Sequence, residues 1–423
     1  MSFINGARPT TDWRDVWISS GAQLISGTGS FLVMTTLLLA FQDGGEGGFA
    51  VAGLAIAAAL PMVVLAPITG RMADRIDSRL LIVVAGVFQV IAALLLSVAH
   101  GVIAQIALLT LLCVGTAIGQ PVRAALLPAM ASRADLPKAS AIGQTASSIG
   151  VMIGPALAGF ALDGLGVANT LRWASVAYVG TIAAGLLLRT RRGGSAPESS
   201  RSSVASSARV TMEPLLRIMI IGLAVVIGAV SAVNVVDVFF VRGTLGASAS
   251  AYGVISSMWM VGMLAGAWIM ARLIRHAKDD GALVSWMFLS LLGTGAAIAL
   301  MAAAPGAAWL VPLLLLGGSL NGTENVLVTT VLGRRAAPSS RGRISATLQA
   351  TVQGMGLLGF MAGGLLVELF EPRPIVLGAG LAGIVAVAVV SPWVARAIRT
   401  SREPMPPMPQ PVPLTREDLV RAA

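Results

Sequence analysis

The stretch GRMADRIDSR, residues 70–79, places five charged residues in ten positions of a chain that is only 11% charged. Long apolar runs flank it on both sides. The chain is 423 residues long and 56% hydrophobic, with a mean hydropathy of +0.84. Soluble domains carry about 25% charged residues. A soluble core cannot absorb this much apolar sequence, whereas a bilayer solvates apolar faces on every side. Charges clustered between apolar runs therefore mark a connection held outside the lipid. The opening residues 1–13 are polar, and the first apolar run lacks a small-residue cleavage site, so it is expected to be a retained helix.

A spanning helix needs roughly 20 mostly apolar residues. Twelve such segments are predicted, at 15–41, 49–70, 80–99, 102–131, 138–162, 170–189, 215–241, 250–271, 282–304, 309–332, 344–369 and 375–397. AHG (99–101) and APGA (304–307) leave room only for tight turns between antiparallel helices. With twelve spans, both termini and the even-numbered connections share one side. That side holds all of the 29 lysines and arginines except Arg123, Arg172, Arg242 and Arg373. By the positive-inside rule it is cytoplasmic, which predicts a multi-pass protein of the cytoplasmic membrane. The formal charge of +10 is thus a topology signal. Nucleic-acid binding is excluded, because the charges are scattered with no aromatic-interleaved patch. The single cysteine, Cys113, lies within a span and excludes an intrachain disulfide.

Residues 190–214 interrupt the pattern with a Ser-, Arg- and Gly-rich run, read as a cytoplasmic linker. It separates a six-helix bundle over 15–189 from another over 215–397, with cytoplasmic segments at 1–14 and 398–423. The halves carry an internal repeat. SAIGQTASSIGVMIGPALAGFALD (140–163) aligns with SATLQATVQGMGLLGFMAGGLLVE (345–368) at a constant offset. Ser140 matches Ser345, Gln144 matches Gln349, Gly154 matches Gly359, Gly159 matches Gly364, and Asp163 is paired with Glu368. Both stretches are the fifth span of their half, as in transporters built from parallel repeats.

Three stretches resemble the Major Facilitator Superfamily. GRMADRIDSR is similar to its connection between spans 2 and 3, G-x-x-x-D-R-x-G-R-R: Gly70, Asp74, Arg75 and Arg79 match, while Asp77 replaces the second glycine and Ser78 a basic residue. GVMIGPALAG (150–159) resembles the span 5 motif of the exporting branch, with Gly150, Gly154, Pro155 and Gly159 matching and Ala158 in place of a glycine. QPVRAALLPAMASRADLPKASA (120–141) and PSSRGRISA (338–346) resemble a subgroup of siderophore exporters and macrolide or multidrug efflux proteins. The resemblance implies an all-α membrane fold of two pseudo-symmetric bundles. It also implies a gate in which Asp74 docks against the start of span 11 and Arg79 pairs with Asp135. Many drug exporters carry an arginine in mid-span 4; here LLCVGTAIGQ is uncharged there, and Arg123 comes later.

Ionisable groups inside a membrane are functional candidates by default. Three occur here: Arg123 in span 4, Asp237 in span 7 and Glu324 in span 10. In the superfamily fold these spans line a central cavity, with 4 and 10 opposed. Arg123 and Glu324 are therefore expected to pair or to share a substrate, and Glu324 is the first candidate for proton coupling, ahead of Asp237. Gln120, Gln144, Asn234, Asn321, Asn325, Gln349 and Gln353, with Gln23, Trp259 and Trp268, are candidate cavity residues. Gly70 is expected to allow close approach of a neighbouring helix, as are Gly150, Gly154 and Gly159. Lys138 and Lys278 are the only lysines, and no phosphate-binding G-x-x-x-x-G-K-[ST] occurs, so no nucleotide engine is encoded. The expectation is a non-enzymatic, monomeric exporter of small amphipathic molecules, driven by a proton gradient without a cofactor. A narrow-specificity siderophore or self-resistance exporter, an uptake symporter and a membrane scaffold are the alternatives.

Overall fold

The computed structural model describes residues 10–132, 134–191, 213–274, 279–336 and 340–402, except the side chains of residues 67, 74, 341, 401 and 402. Most of the linker 190–214, the first residues and most of the tail 398–423 lie outside the described residues. What is described is all-helical in its regular structure. The first half comprises α1 (Trp13–Asp43), α2 (Gly48–Val64), α3 (Ala66–Arg75), α4 (Ser78–Leu96), α5 (Val102–Met130) and α6 (Leu136–Leu187). The second comprises α7 (Pro214–Val230), α8 (Val233–Val238), a π-helical turn (Phe239–Thr244), α9 (Ala249–Leu273), α10 (Asp280–Met301), α11 (Leu310–Arg335), α12 (Arg341–Leu369) and α13 (Pro372–Arg402).

These elements make twelve crossings. Nine helices among the described residues are long and apolar enough to span a bilayer. One of them, the 52-residue α6, contains two spans, because Gly166 adopts φ 74°, a left-handed conformation that favours glycine. The short apolar α2, continued by α3, and the polar α11 complete the set. Large apolar side chains such as Ile103, 85% exposed, Phe160 and Trp173 stud the outer surface, as a lipid-facing wall requires.

Helix starts follow from local capping. Asp12, Asp77, Ser248 and Asp279 each accept a backbone N–H from the first turn they precede. Asp77, which departs from the superfamily motif, thus caps α4 through the N–H groups of Arg79 (2.8 Å) and Leu80 (3.3 Å). The second span differs from expectation. It breaks at Leu65, between Pro61 and Pro67, and then resumes as α3 through Arg75. Most of GRMADRIDSR is therefore helical rather than loop.

The two halves meet along two seams, α6 against α9 and α2 against α12. Both seams pack through glycine. A Cβ on Gly159 would sit 2.3 Å from the Ala249 carbonyl oxygen, and one on Gly364 2.7 Å from Ala52 Cβ. Within each half the repeat holds as well: Gly154 packs on Thr28 and Phe31 of the first span, and Gly359 on Gly228 and Ser231 of the seventh. The pseudo-symmetry read from the alignment is therefore a symmetry of contacts.

Candidate functional site

The basic end of the bundle carries the starts of α1, α6 and α12 and the ends of α3, α9 and α11. At the opposite end the halves are tied together. Asp163 accepts the Ser250 N–H at 2.9 Å, and its repeat mate Glu368 accepts the Phe49 N–H at 3.4 Å. Each carboxylate caps the first turn of a helix from the other half, where the helix dipole favours negative charge. Arg242 adds a third tie, donating to Gln42 (3.2 Å) and pairing with Asp43. Arg172 and Arg373, the other arginines expected at this end, donate to Asn169 and the Ala304 carbonyl. Between the seams lies a cavity of about 530 Å³. Its walls are mainly apolar, with Phe31, Met34 and Leu38 from α1, Ala55 and Ala59 from α2, and Phe360 from α12.

The carboxylates of this wall come from the second half. Span 7 keeps helical backbone angles through Ser231 and Ala232, but its hydrogen bonding tightens there, with the N–H groups of Asn234 and Val235 reaching back only three residues, and after α8 it widens into the π turn. Asp237 sits on this interrupted stretch, the kind of irregularity that clusters at functional sites. The Tyr252 phenol of α9 is set against its carboxyl. Glu324 on α11 is 4% exposed and accepts from Asn321 Nδ2 at 3.4 Å. Its placement depends on close helix packing: a Cβ on Gly266 of α9 would lie 1.8 Å from the Ser319 carbonyl oxygen of α11, and one on Gly322 1.9 Å from that of Met263. Asp237 and Glu324 are the only charged residues among the described lining.

A second cavity, about 830 Å³, lies within the first half between α1, α5 and α6 and reaches their ends at the basic side. Its lining is polar, with Ser19, Gln23, Ser26 and Ser30 along one stripe of α1. Arg123 is the only charged residue among its described lining. Phe31 and Val151 line both cavities, which therefore adjoin.

The sequence candidates thus divide. Asp237, Glu324, Asn234, Trp259, Asn321 and Gln353 line the apolar cavity, while Arg123, Gln120 and Gln144 line the polar one. Asn325 and Gln349 line neither; the Asn325 amide donates to the Asn321 carbonyl. Trp268 is 58% exposed on the outer surface with Arg272 stacked on its ring. Arg123 and Glu324 belong to different cavities and form no ion pair, because depth along a span fixes height and not the direction a side chain faces. The expected Arg79–Asp135 pair is not made either: Asp135 accepts instead from the Thr11 and Ser132 hydroxyls. Gly70 has open space around it rather than a close neighbour, and the main packing of α3 is on α2 and α5 of its own half. The side chain of Asp74 lies outside the described residues; Arg75 is exposed. Gly150 and Gly154 pack on α1, while Pro155 and Gly159 meet α9 across the seam, so the span 5 motif joins the halves. Sequence reasoning missed Tyr252 and Ser256, which line the apolar cavity with Trp259. Their spacing, i, i+4 and i+7 on one helix face, was the available signal.

The profile of the Major Facilitator Superfamily matches residues 19–278. Among curated proteins none matches the chain. The fold is similar to that of the nucleoside transporter NupG (TM-score 0.74, 12% identity, 90% of this chain and 99% of that one). It is also similar to a peptide transporter POT in complex with alafosfalin (TM-score 0.72, 14% identity, 91% and 95%). A bacterial homologue of the human lysosomal transporter Spinster, inward-facing and unoccupied, gives a TM-score of 0.67 at 13% identity over 93% of this chain and 98% of that one.

Proposed function

The chain belongs to the Major Facilitator Superfamily, and from that premise we propose that it exports small amphipathic organic molecules by proton antiport with alternating access. The observation that carries this reading is the apolar cavity between the halves, whose described charged lining is Asp237 and Glu324 alone. An apolar wall accepts the body of an amphipathic solute without naming one partner. A carboxylate in that wall is costly to keep charged and unpartnered, so proton and substrate alternate there. The arginine distribution supports a cytoplasmic basic end in the cytoplasmic membrane, and the polar cavity reaches that end, where substrate would load. The span 5 motif supports export over uptake. The cycle needs protons, substrate and lipid, with no cofactor, and one chain supplies the whole pathway. The polar cavity around Arg123 favours a second reading, an exporter with narrow specificity.

Dye efflux from cells lacking the gene and carrying it in trans, with and without a protonophore, tests the reading. Glu324→Gln should abolish gradient-driven efflux while substrate binding stays measurable. Unchanged efflux in that variant moves the proton role to Asp237, and efflux indifferent to the protonophore in the wild type removes antiport altogether.

A further inference from the structure

We infer that the polar cavity of the first half is an anion subsite, in which Arg123 holds the acidic group of an amphipathic substrate whose apolar body lies in the adjoining cavity. The inference rests on the transport reading for the word substrate. Its geometry is independent of proton coupling.

Arg123 lies in the inner part of α5, and Gly119 one turn earlier leaves room beside it. Its Nη1 is 2.8 Å from where a Cβ on Gly119 would stand, so the guanidinium folds back along the helix face. Among the described residues it has no carboxylate or carbonyl partner, whereas Arg172, Arg242 and Arg373 each have one. A guanidinium keeps its charge at any physiological pH and presents five donors in a fork that matches a carboxylate, sulfonate or phosphate. The side chains around it are neutral hydroxyls and amides, including Ser20, Gln23, Gln120, Gln144 and Ser147. Nothing in the described lining neutralises the cation, so the local field favours an anion.

The apolar cavity strengthens the assignment. Its charged lining is two carboxylates, Asp237 and Glu324, both on the other half. An anionic group finds no cation in that wall and is attracted to the α5 wall, while an apolar body passes between them beside Phe31 and Val151. The two volumes, about 530 and 830 Å³, suit a drug-sized molecule divided in this way. The same charge pattern would also accept the headgroup of an anionic lipid entering from the bilayer, so the test separates the two sources.

The experiment uses the full chain in phosphatidylcholine nanodiscs and two probes with one fluorophore, N-dansyl-6-aminohexanoate and dansylcadaverine. They differ chiefly in ending as a carboxylate or an ammonium. The wild type should bind the carboxylate probe about tenfold tighter or more, a difference of about 1.4 kcal/mol. Arg123→Gln should erase the preference, and Arg123→Lys should retain part of it, with monodisperse elution confirming that both variants fold. Gln144→Leu, on a different helix, should weaken the carboxylate probe selectively. Equal binding of the two probes by the wild type, preference for the ammonium, no saturable carboxylate binding, or a preference that survives Arg123→Gln overturns the proposal. Adding phosphatidylglycerol should leave the preference intact; if it displaces the carboxylate probe, the occupant is a lipid headgroup and the substrate assignment falls. Failure of the antiport reading looks different: efflux becomes insensitive to the protonophore while the equilibrium preference persists.

Discussion

Asp15 is fully buried at the start of α1, and its carboxylate accepts the backbone N–H groups of Arg189 (3.1 Å) and Thr190 (2.6 Å) where α6 ends. It ties the first and sixth spans at the basic end. Asp15→Ala should cost roughly 1.5–3 kcal/mol, the value of hydrogen bonds to a charged group, read as a lower unfolding temperature in detergent. Asp15→Asn should recover part of the loss, because an amide oxygen still accepts. Nothing in the sequence separates this residue from an ordinary acid of a helix first turn, since its partners are backbone atoms some 170 residues away. Asp135 teaches the same lesson. Charge complementarity suggested Arg79, but two nearby hydroxyls reach it first. Those hydrogen bonds, from Thr11 and then Ser132, hold its carboxyl below the usual range. A depressed folded value means the stabilisation is present above the ordinary carboxylate pKa of about 4 and is lost as pH falls through the lower folded value. Docking of Thr11 on the 132–135 turn should therefore be constant from neutral to mildly acidic pH and loosen only in strong acid. Exchange of the Ser132 amide, which donates to Thr11 Oγ1 at 3.0 Å, reports it.

Among the elements, α11 shows how packing aims a functional side chain. Gly262 and Gly266 of α9 interlock with Gly318 and Gly322 of α11 so closely that a methyl group at any of them would meet backbone. Backbone cannot give way as a flexible side chain can, so Gly266→Ala should cost about 1–3 kcal/mol and push α11 outward, carrying Glu324 with it. A thermal shift together with lost gradient-driven efflux checks this; full activity at reduced stability would show that the rotation of α11 does not matter. The twelve crossings were legible because length and hydropathy are local properties. The break at Leu65 was signalled by Pro61 and Pro67 yet overridden by the apolar run around them. The π turn after Asp237 left no local mark, since VNVVDVFFVR reads as continuous helix and its widening depends on neighbouring spans. The acids and the arginine of the cavities were legible as charges inside spans. Their separation into two cavities was not, because helix azimuth is set by contacts such as those of Gly266 and Gly322.

At the scale of the whole molecule, two related carboxylates hold one end closed while the motif at 70–79 sits at the other. Asp163 and Glu368 occupy equivalent places in the repeat, and each caps a helix of the opposite half. The internal symmetry therefore builds one latch twice, with the polar cavity reaching the basic end. Asp74, whose role rests on the motif, is expected to dock on the start of α12 when the basic end closes. A charge at a helix N-terminus is worth roughly 0.3–1 kcal/mol when exposed and up to about 2 when partly buried. Removing two such contacts shifts a two-state equilibrium by roughly three- to thirtyfold or more, enough to change which state dominates when they differ by a few kcal/mol. Asp163→Asn with Glu368→Gln should therefore move the population toward the form open at the non-basic end, since the amides keep an acceptor but lose the charge. Asp74→Asn should move it the other way, and the triple variant should return toward the wild-type balance. Spin labels at positions 46 and 243, with Cys113 replaced by alanine, read the distance across the closed end. The double variant should lengthen that distance, and Asp74→Asn should leave it at its short value. If the double variant keeps the wild-type distribution, the carboxylates are held by geometry alone, and the closed end depends instead on the glycine seams and Arg242.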